Sequence, residues 1–324
     1  MTRTSRRRWL GSLVLLLCLP AFAAQDVWTG VGRIVAVGDV HGDYDQLVSV
    51  LRAAGIVDKK DKWSGGKAHL VQTGDLVDRG PASRKVMDLM IALEKQAAKA
   101  GGCVHALVGN HEAMNVYGDQ RYTVPGEYEA FRRANSVEIR DYFWQQSKLD
   151  ESARQKWDEE HPLGYFEHRI EFLPEGTYGK WIRSHNAAVK INDTLFVHGG
   201  ISPQYAATPL TSINDQVRKE LDGSIPPPEA MIVSEDGPLW YRGLAEGDEQ
   251  ALAAHVDAIL ANFGVKRIVV GHTVMPGVTP RFGGKVIVID VGLSKYYGGT
   301  PAALIFEGGK FYALSRGVKT RLPE

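Results

Sequence analysis

The chain has only two cysteines, and its basic and acidic side chains cancel to a formal net charge of zero. Cys18 lies in an N-terminal apolar run, so Cys103 is the single cysteine of the remaining chain and no internal disulfide is expected there. A neutral chain creates no long-range field that favours nucleic acid or an anionic membrane, and we expect no nucleic-acid partner. Internal repeats and low-complexity tracts are also missing. A chain of 324 residues can bury a globular core without disulfides.

The N-terminal segment has the three parts of a secretory signal peptide. Three arginines at 6–8 precede an apolar run at 9–19 and an Ala-x-Ala sequence at 21–23, with no acidic residue before position 24. The apolar run is short for a permanent membrane helix, and an uncleaved anchor is the alternative. We expect cleavage after Ala23, a periplasmic or secreted chain of residues 24–324, and no stable membrane association after cleavage.

These residues are compatible with two routes of export. The segment from Ser5 to Leu10 resembles the twin-arginine signal, with Trp9 where phenylalanine is usual. That route carries proteins that have already folded. Export of an unfolded chain is equally compatible with a basic head, so both routes stay open.

Short apolar strands alternate with amphipathic helices along most of the chain, which predicts an α/β layered fold. Residues 112–185 interrupt this rhythm with helical stretches near 126–149 and 150–160. We interpret them as a helical insertion, partly a solvated surface and partly a cap that selects substrates. A polar, proline-rich stretch follows residue 200. We expect one catalytic domain over 24–324. The predicted strands are 34–37, 69–72, 103–108, 187–191, 195–197, 267–270, 286–289, 302–306 and 311–314, and the predicted helices are 43–54, 82–100 and 249–263.

Five glycine-flanked loops, each after an apolar strand, carry candidate metal ligands. Since ligands of open α/β sheets gather at the carboxyl ends of strands, we expect these side chains to lie together. The flanking glycines permit tight turns and close backbone approach. The candidate ligands are Asp39, His41, Asp75, Asn110, His198 and His272.

Carboxylate and amide oxygens with imidazole nitrogens suit manganese, iron or zinc better than calcium or a thiolate zinc site, and manganese is our first choice. Six ligands exceed the need of one tetrahedral ion and suffice for two ions if one carboxylate bridges them. Two ions about 4 Å apart can clamp the attacking and leaving oxygens of an in-line displacement. The motifs contain no positioned serine or cysteine nucleophile, so no covalent intermediate with the protein is expected.

The five motifs, in order and spacing, resemble those of the metallophosphoesterase (calcineurin-like) superfamily over about residues 33–316. Asp78-Arg79-Gly80 and Asn110-His111-Glu112 resemble its phosphoprotein phosphatase branch, and the segment Pro238–Arg242 looks like the bacterial Shewanella-like protein phosphatases. The resemblance implies a β-sandwich of two mixed sheets flanked by helices in four layers (αββα), with the helical insertion added.

The resemblance also implies roles for the matching positions. Asp39 and His41 would hold the first metal ion, Asp75 would bridge both ions, and Asn110, His198 and His272 would hold the second. His111 would be the general acid, oriented by Asp78. Arg79 would bind the phosphate, Arg242 is our candidate for a second phosphate-binding arginine, and Tyr296 or Tyr297 would approach the phosphate. Glu112 is expected to orient a ligand.

The donor set and the resemblance together predict a dinuclear-metal protein phosphatase that hydrolyses a phosphate monoester by in-line attack of metal-bound hydroxide. The choice between Ser/Thr and Tyr substrates stays open. A dinucleoside polyphosphate hydrolase and a broad phosphatase of small phosphomonoesters are the enzyme alternatives. A silent metal-binding interaction protein is the alternative from another class, and the complete ligand set argues against it. The remaining histidines match no motif and are interpreted as ordinary core or surface residues; they are His69, His105, His161, His168, His185 and His255.

Overall fold

Two six-stranded mixed sheets form the centre of the fold. A computed structural model describes residues 25–223 and 225–323, so the predicted signal peptide at 1–23 lies outside the described residues. The first sheet has the strand order β1 (Val27–Trp28), β5 (Ala188–Ile191), β6 (Thr194–Val197), β7 (Arg267–Val270), β9 (Val286–Val288) and β8 (Thr279–Arg281). The second has the order β12 (Val318–Arg321), β11 (Lys310–Ser315), β10 (Ala302–Glu307), β2 (Arg33–Val37), β3 (His69–Gln72) and β4 (Cys103–Ala106).

Helices flank both sheets, and the fold class predicted from the sequence is confirmed. Over the described ranges the α-helices are α1 (Tyr44–Ala53), α2 (Ser83–Ala100), α3 (Asn110–Tyr117), α4 (Pro125–Phe131), α5 (Ser136–Ser147), α6 (Arg154–Glu160), α7 (Tyr165–Phe172), α8 (Thr177–Arg183), α9 (Leu210–Leu221), α10 (Gly243–Glu246) and α11 (Glu249–Phe263). Asp43 caps α1, because its Oδ1 accepts a hydrogen bond from the amide of Gln46 at 3.2 Å.

The apolar strand runs are explained by burial on both faces. In β2, Ile34 and Ala36 face the core between the two sheets, whereas Val35 and Val37 pack with the helices on the outer face. A strand that is buried on both sides needs apolar residues at every position, which is why it reads as a continuous run. Phe196 from the first sheet joins the same inter-sheet core.

The parallel strands end in register at one edge of the sandwich. In the second sheet, Val37 pairs with Gln72, and Gln72 pairs with Ala106. In the first sheet, Val197 pairs with Val270, which in turn pairs with Val288. The loops that follow these six strands therefore emerge side by side, and they contain all the candidate ligands.

The chain between β4 and β5 contains α3 to α8. The two long helical stretches expected there are broken more often than predicted, with one break where Arg132 takes an extended conformation after α4. Strand β1 and helix α9 were not expected. No described helix is both long and apolar enough to cross a bilayer.

Candidate metal centre

The ends of the two sheets approach each other closely at the site. A side chain on Gly38, directly after β2, would place its Cβ 2.5 Å from the carbonyl oxygen of Ile289, directly after β9. A Cβ on Gly109 would lie 2.3 Å from Oδ1 of Asp75. Both positions require glycine because backbone or ligand atoms fill that space, and this contact brings the loops of both sheets into one cluster.

One group of donor atoms forms around His198. Its Nδ1 donates to the carbonyl of Thr73 at 2.9 Å, so Nε2 carries the lone pair in the neutral ring. That lone pair faces Oδ1 of Asn110 at 2.9 Å, Nδ1 of His272 at 3.1 Å and Oδ2 of Asp75 at 3.4 Å. Lone pairs that converge in this way repel one another unless a cation lies among them, which fits a metal site.

A second group forms around His41. Its Nδ1 donates to the carbonyl of Val77 at 3.1 Å, and its Nε2 lies 3.8 Å from Oδ2 of Asp75 and 3.9 Å from Oδ2 of Asp39. Nε2 of His111 also lies 3.8 Å from Oδ2 of Asp75. Two sets of donor atoms within 4.8 Å of one another can thus be drawn, and they share Asp75; they are Asp39, Asp75, His198 and His272, and His41, Asp75 and His111.

Burial favours the neutral form of the imidazoles, which is the form that binds a metal ion. It lowers the pKa of His41 to about 3 and the pKa of His272 to about 2. Neutral imidazoles keep a lone pair available for a cation. Oδ1 of Asp39 accepts the backbone amide of His272 at 3.0 Å, which ties the loop after β7 to the loop after β2.

The buried carboxyl groups need positive charge. Burial, together with Asp290 and Asp75, raises the pKa of Asp39 well above its ordinary value. Burial and the Asp75 carboxylate raise the pKa of Asp290 to about 6. Burial acts in the same direction on Asp75, but His198 and His111 outweigh it and hold the pKa of Asp75 well below its ordinary value. Divalent cations would relieve this crowding, so the donor set fits a dinuclear centre.

Glu112 anchors the backbone beneath the ligands. Its carboxylate accepts hydrogen bonds from the amides of Asp75 and Leu76, both at 2.7 Å, and of Gly109 at 2.8 Å. It thereby joins the loops after β3 and β4. The structure places Glu112 where a residue that orients a ligand was expected.

His111 is held by a network around Asp78. Nδ1 of His111 lies 2.7 Å from Oδ2 of Asp78, which also accepts from Nδ2 of Asn115 at 3.0 Å. The hydroxyl of Thr123 donates to Oδ1 of Asp78 at 3.0 Å. Burial acts to lower the pKa of His111, but Asp75 and Asp78 outweigh it, so this pKa is raised. The ring can therefore carry a proton beside the metal-binding donors.

Arg79 lies among aromatic rings at the mouth of the site. Its Cζ is 5.0 Å from the ring centre of Tyr122, 5.7 Å from that of Tyr296 and 5.2 Å from that of Tyr297. Its Nη1 is 3.0 Å from Nε2 of His41. The guanidinium is thus fixed next to the donor groups, where a planar fork can bind phosphate oxygens.

Arg242 is exposed and lines the same cavity as Arg79. Its Nη1 donates to the carbonyl of His272 at 2.8 Å and to the hydroxyl of Thr273 at 3.1 Å. The cavity has a volume of about 340 Å³, and Asp75, His111 and both arginines line it. Tyr297 lines it too, whereas Tyr296 is 64% exposed and lines a neighbouring cavity. Tyr297 is therefore the tyrosine of the pair that faces the site.

Much of the site is built on left-handed backbone. Among the described residues other than glycine, five that carry the site have φ between 45° and 69°; they are His41, Asp75, Asp78, Arg79 and His272. Such a conformation costs of order 1–3 kcal/mol for each residue and persists where the surrounding structure imposes it. Aspartate and histidine tolerate it better than most residues do.

Sequence reasoning missed two residues of the site. Asp290 follows β9 as Asp39 follows β2, and an acidic residue directly after an apolar strand was the available signal. Tyr122 comes from the helical insertion, and its carbonyl accepts the amide of Arg79 at 3.0 Å. Nothing local in the sequence marks it, because its role depends on how the insertion folds back over the loop after β3.

Comparison with known proteins agrees with this chemistry. Residues 32–276 match the calcineurin-like phosphoesterase family. The chain is 35% identical over 282 residues to an uncharacterized protein of Schizosaccharomyces pombe, covering 84% of this chain and 76% of that protein. It is 30% identical to Shewanella-like protein phosphatase 2 of Arabidopsis thaliana, covering 81% and 72%. Among solved structures, the cold-active protein-tyrosine phosphatase of a psychrophilic Shewanella species is 32% identical, with a TM-score of 0.75 and coverage of 92% and 82%.

Proposed function

Since this chain belongs to the calcineurin-like phosphoesterase family and to its Shewanella-like protein phosphatase branch, we propose that it is a protein phosphatase with a preference for phosphotyrosine. It is a metal-dependent phosphatase. The observation that carries the proposal is the position of His111, which lies beside Asp75 and lines, together with Arg79, a cavity walled by aromatic rings.

The aromatic walls support an aryl ester. Tyr122, Tyr297 and Trp240 line the cavity together with the donor groups. Phenyl rings of a substrate gain edge and stacking contacts with such walls, which a serine ester cannot make. The related Shewanella enzyme is described as a protein-tyrosine phosphatase, which agrees with this assignment.

The residues of the chain have distinct parts in the reaction. Two divalent metal ions, which when bound supply Lewis acidity and an activated water, would be held without His111; the ligands would be Asp39, His41, Asp75, Asn110, His198 and His272. Arg79 and Arg242, which both line the cavity, bind the phosphoryl oxygens. Asp78 keeps the Nδ1 proton of His111 in place, so that Nε2 donates its proton to the leaving phenoxide. Tyr122 covers His111, with 5.0 Å between ring centres, and limits access of water to it.

A comparison of substrates tests this proposal. We expect kcat/KM for a phosphotyrosine peptide to exceed that for a phosphoserine peptide of the same sequence at least tenfold. Tyr122→Ala should lower the phosphotyrosine value by about 3–10-fold, the size of one aromatic contact. Tyr142→Ala is the control because Tyr142 is 58% exposed on the insertion. Equal rates on both peptides would refute the preference, and a 100-fold advantage of a dinucleoside tetraphosphate would replace the protein phosphatase assignment.

We propose manganese as the metal. Support comes from the mixed set of carboxylate, amide and imidazole donors, which the described site offers without a thiolate. Elemental analysis of protein purified from its native compartment decides between manganese, iron and zinc. Two equivalents of iron or zinc per chain would overturn the choice.

We also propose export by cleavage after Ala23. The basic head, short apolar run and Ala-x-Ala end of residues 1–23 support it. N-terminal sequencing of the purified protein should find Ala24 first, and fractionation should place activity outside the cytoplasm. Replacing Arg6 and Arg7 by lysines should block export if the twin-arginine route is used and leave it unchanged otherwise. An intact Met1 on the native protein would contradict cleavage.

A further inference from the structure

A second group of metal-binding side chains lies at the opposite end of the strands that carry the catalytic loops. His69 begins β3 and pairs in register with Cys103, which begins β4. His105 lies two residues further along β4 and thus on the same face as Cys103. One donor atom from each of the three side chains can be chosen so that all lie within 4.8 Å of one another.

This face is turned towards the core between the sheets. Val71 in β3 and Leu107, directly after β4, lie on the same face, and both belong to the inter-sheet core. Apolar side chains are therefore also expected where this face begins, near the start of β3 and β4. Instead, His69 and His105 are buried there. Burying a polar group is costly unless it finds a partner, and a cation held by both histidines and the cysteine would be a partner for all three side chains.

The distances are close to those of a metal site. Nδ1 of His69 lies 2.9 Å from Nε2 of His105. Two nitrogen ligands of a tetrahedral zinc ion lie about 3.3 Å apart, so a small opening of the pair would admit the ion. The nitrogens of His198 and His272 in the catalytic centre are 3.1 Å apart, which is a similar approach.

The surroundings hold the imidazole rings in place. Trp28 of β1 makes edge contacts with His69 and His105, with ring centres at 5.1 and 5.4 Å. A cavity of about 180 Å³ adjoins the group and is lined by Cys103, His105 and Trp28. A water molecule can therefore reach a fourth position of an ion held by three side chains.

Charge and protonation are compatible with a cation. Burial lowers the pKa of His105 to about 3 and also lowers the pKa of His69, so both rings are neutral ligands. Burial and the nearby Glu94 raise the pKa of Cys103 to about 11. A bound ion must therefore displace the thiol proton, which leaves for solvent as the S–metal bond forms. The charge of Glu94 acts on Cys103 and has the sign that favours a nearby cation.

We propose that His69, Cys103 and His105 form a separate binding site for one zinc-type divalent cation, which joins strands β3 and β4 at the end remote from catalysis. Thiolate and imidazole together favour such borderline ions over magnesium or calcium. Because each strand also carries catalytic loops at its other end, the ion stabilises the pair of strands that positions Asp75 and Asn110.

Cobalt loading tests the site. After equilibration with Co²⁺ and gel filtration, wild-type protein should retain three ions per chain and show a near-ultraviolet thiolate-to-cobalt band. Cys103→Ser should retain two ions and lose the band. Its phosphatase activity with manganese should be unchanged, since Cys103 does not contact the catalytic cavity. Two ions and no band in the wild type would overturn the proposal.

Two further measurements separate the sites and do not depend on the folding of one variant. Asp75→Asn should lose the catalytic ions yet keep the thiolate band; loss of the band in that variant would contradict independent sites. In the wild-type protein, Zn²⁺ should slow alkylation of Cys103 at least tenfold and raise Tm, whereas Mg²⁺ should do neither. Alkylation at the same rate with and without Zn²⁺ would overturn the proposal. It would show that the two histidines are only a hydrogen-bonded pair in the core.

Discussion

Nδ1 of His111 and Oδ2 of Asp78 lie 2.7 Å apart, and both side chains are buried. Asn115 and Thr123 hold the two oxygens of Asp78, so the carboxyl group cannot rotate away from the ring. The ring therefore presents Nε2 to the cavity in one orientation. An acid that is held in this way can give a proton to a leaving group without first reorganising.

Replacing this acid should damage chemistry and spare metal binding. His111→Asn should lower kcat by roughly 10²–10⁴-fold. The loss should be larger for phenyl phosphate than for p-nitrophenyl phosphate, whose leaving group needs less protonation. Metal analysis should still find the catalytic ions. His161→Asn, in the insertion, is the control. An equal loss on both esters would contradict proton donation by His111.

Removing the carboxylate of Asp75, which both donor groups share, should lower metal binding and turnover. Asp75 belongs to both groups of donor atoms, so Asp75→Asn should lower the number of catalytic ions retained per chain and abolish measurable turnover. Asp45→Asn is a matched control, because the side chain of Asp45 is 83% exposed in the first turn of α1. Wild-type turnover in Asp75→Asn would refute the shared role.

Glu112 links metal affinity to backbone stability. In Glu112→Gln at least one backbone amide would face the new side-chain NH₂ group, since the carboxylate uses both oxygens. We expect unfolding to become easier by about 1.5–3 kcal/mol. Metal affinity should fall about 10–100-fold. Denaturant titration and metal titration measure the two effects. Unchanged metal affinity would show that the position of Asp75 does not depend on Glu112.

Glu127 should make stability depend on pH. Burial, with a contribution from Asp78, raises its pKa from 4.5 to about 8. Between these pH values the folded chain keeps a proton that the unfolded chain releases, so this group's contribution to stability falls as pH rises from about 4.5 to about 8. Glu127→Gln cannot titrate. The Tm of the wild type should therefore drop relative to that of the variant between pH 5 and 8. A constant difference would show that Glu127 does not hold a proton.

Arg242 should contribute to substrate binding. It lines the cavity with Arg79 and is fixed by the carbonyl of His272. Loss of one charged hydrogen bond to phosphate costs about 1.5–3 kcal/mol, so Arg242→Ala should raise KM, and the inhibition constant of inorganic phosphate, roughly 10–100-fold. Arg121→Ala, whose side chain is exposed, is the control. An unchanged inhibition constant would remove Arg242 from the phosphate site.

The ligand loops could be predicted because their signal is local. Each loop directly follows an apolar strand, and the strand ends meet by the rule for parallel sheets. Asp290 obeys the same rule, but it has no neighbouring histidine or flanking motif that marks it as part of the site. The choice between Tyr296 and Tyr297 could not be made, because neighbouring residues in a short helical turn point in different directions.

Non-local pairing explains some of the remaining differences. Strand β1 has two residues, and its partner β5 lies about 160 positions later, so its sequence carries no period that can be recognised. Helix α9 was visible in principle, with Ile213, Val217 and Leu221 at helical spacing, but the polar, proline-rich surroundings hid it. His69, Cys103 and His105 become one group only through the register of β3 and β4, and sequence reasoning treated the two histidines as ordinary residues.

The left-handed backbone at His41, Asp75, Asp78, Arg79 and His272 has an evolutionary consequence. Glycine adopts this conformation without strain. At these five positions a mutation to glycine would therefore relieve backbone strain, but it would also remove a metal ligand, the partner of the general acid or a contact to phosphate. Relief of backbone strain and selection for catalysis therefore act in opposite directions there. A lineage that lost the need for phosphatase activity would be expected to change first in these loops, and to leave the two sheets beneath them intact.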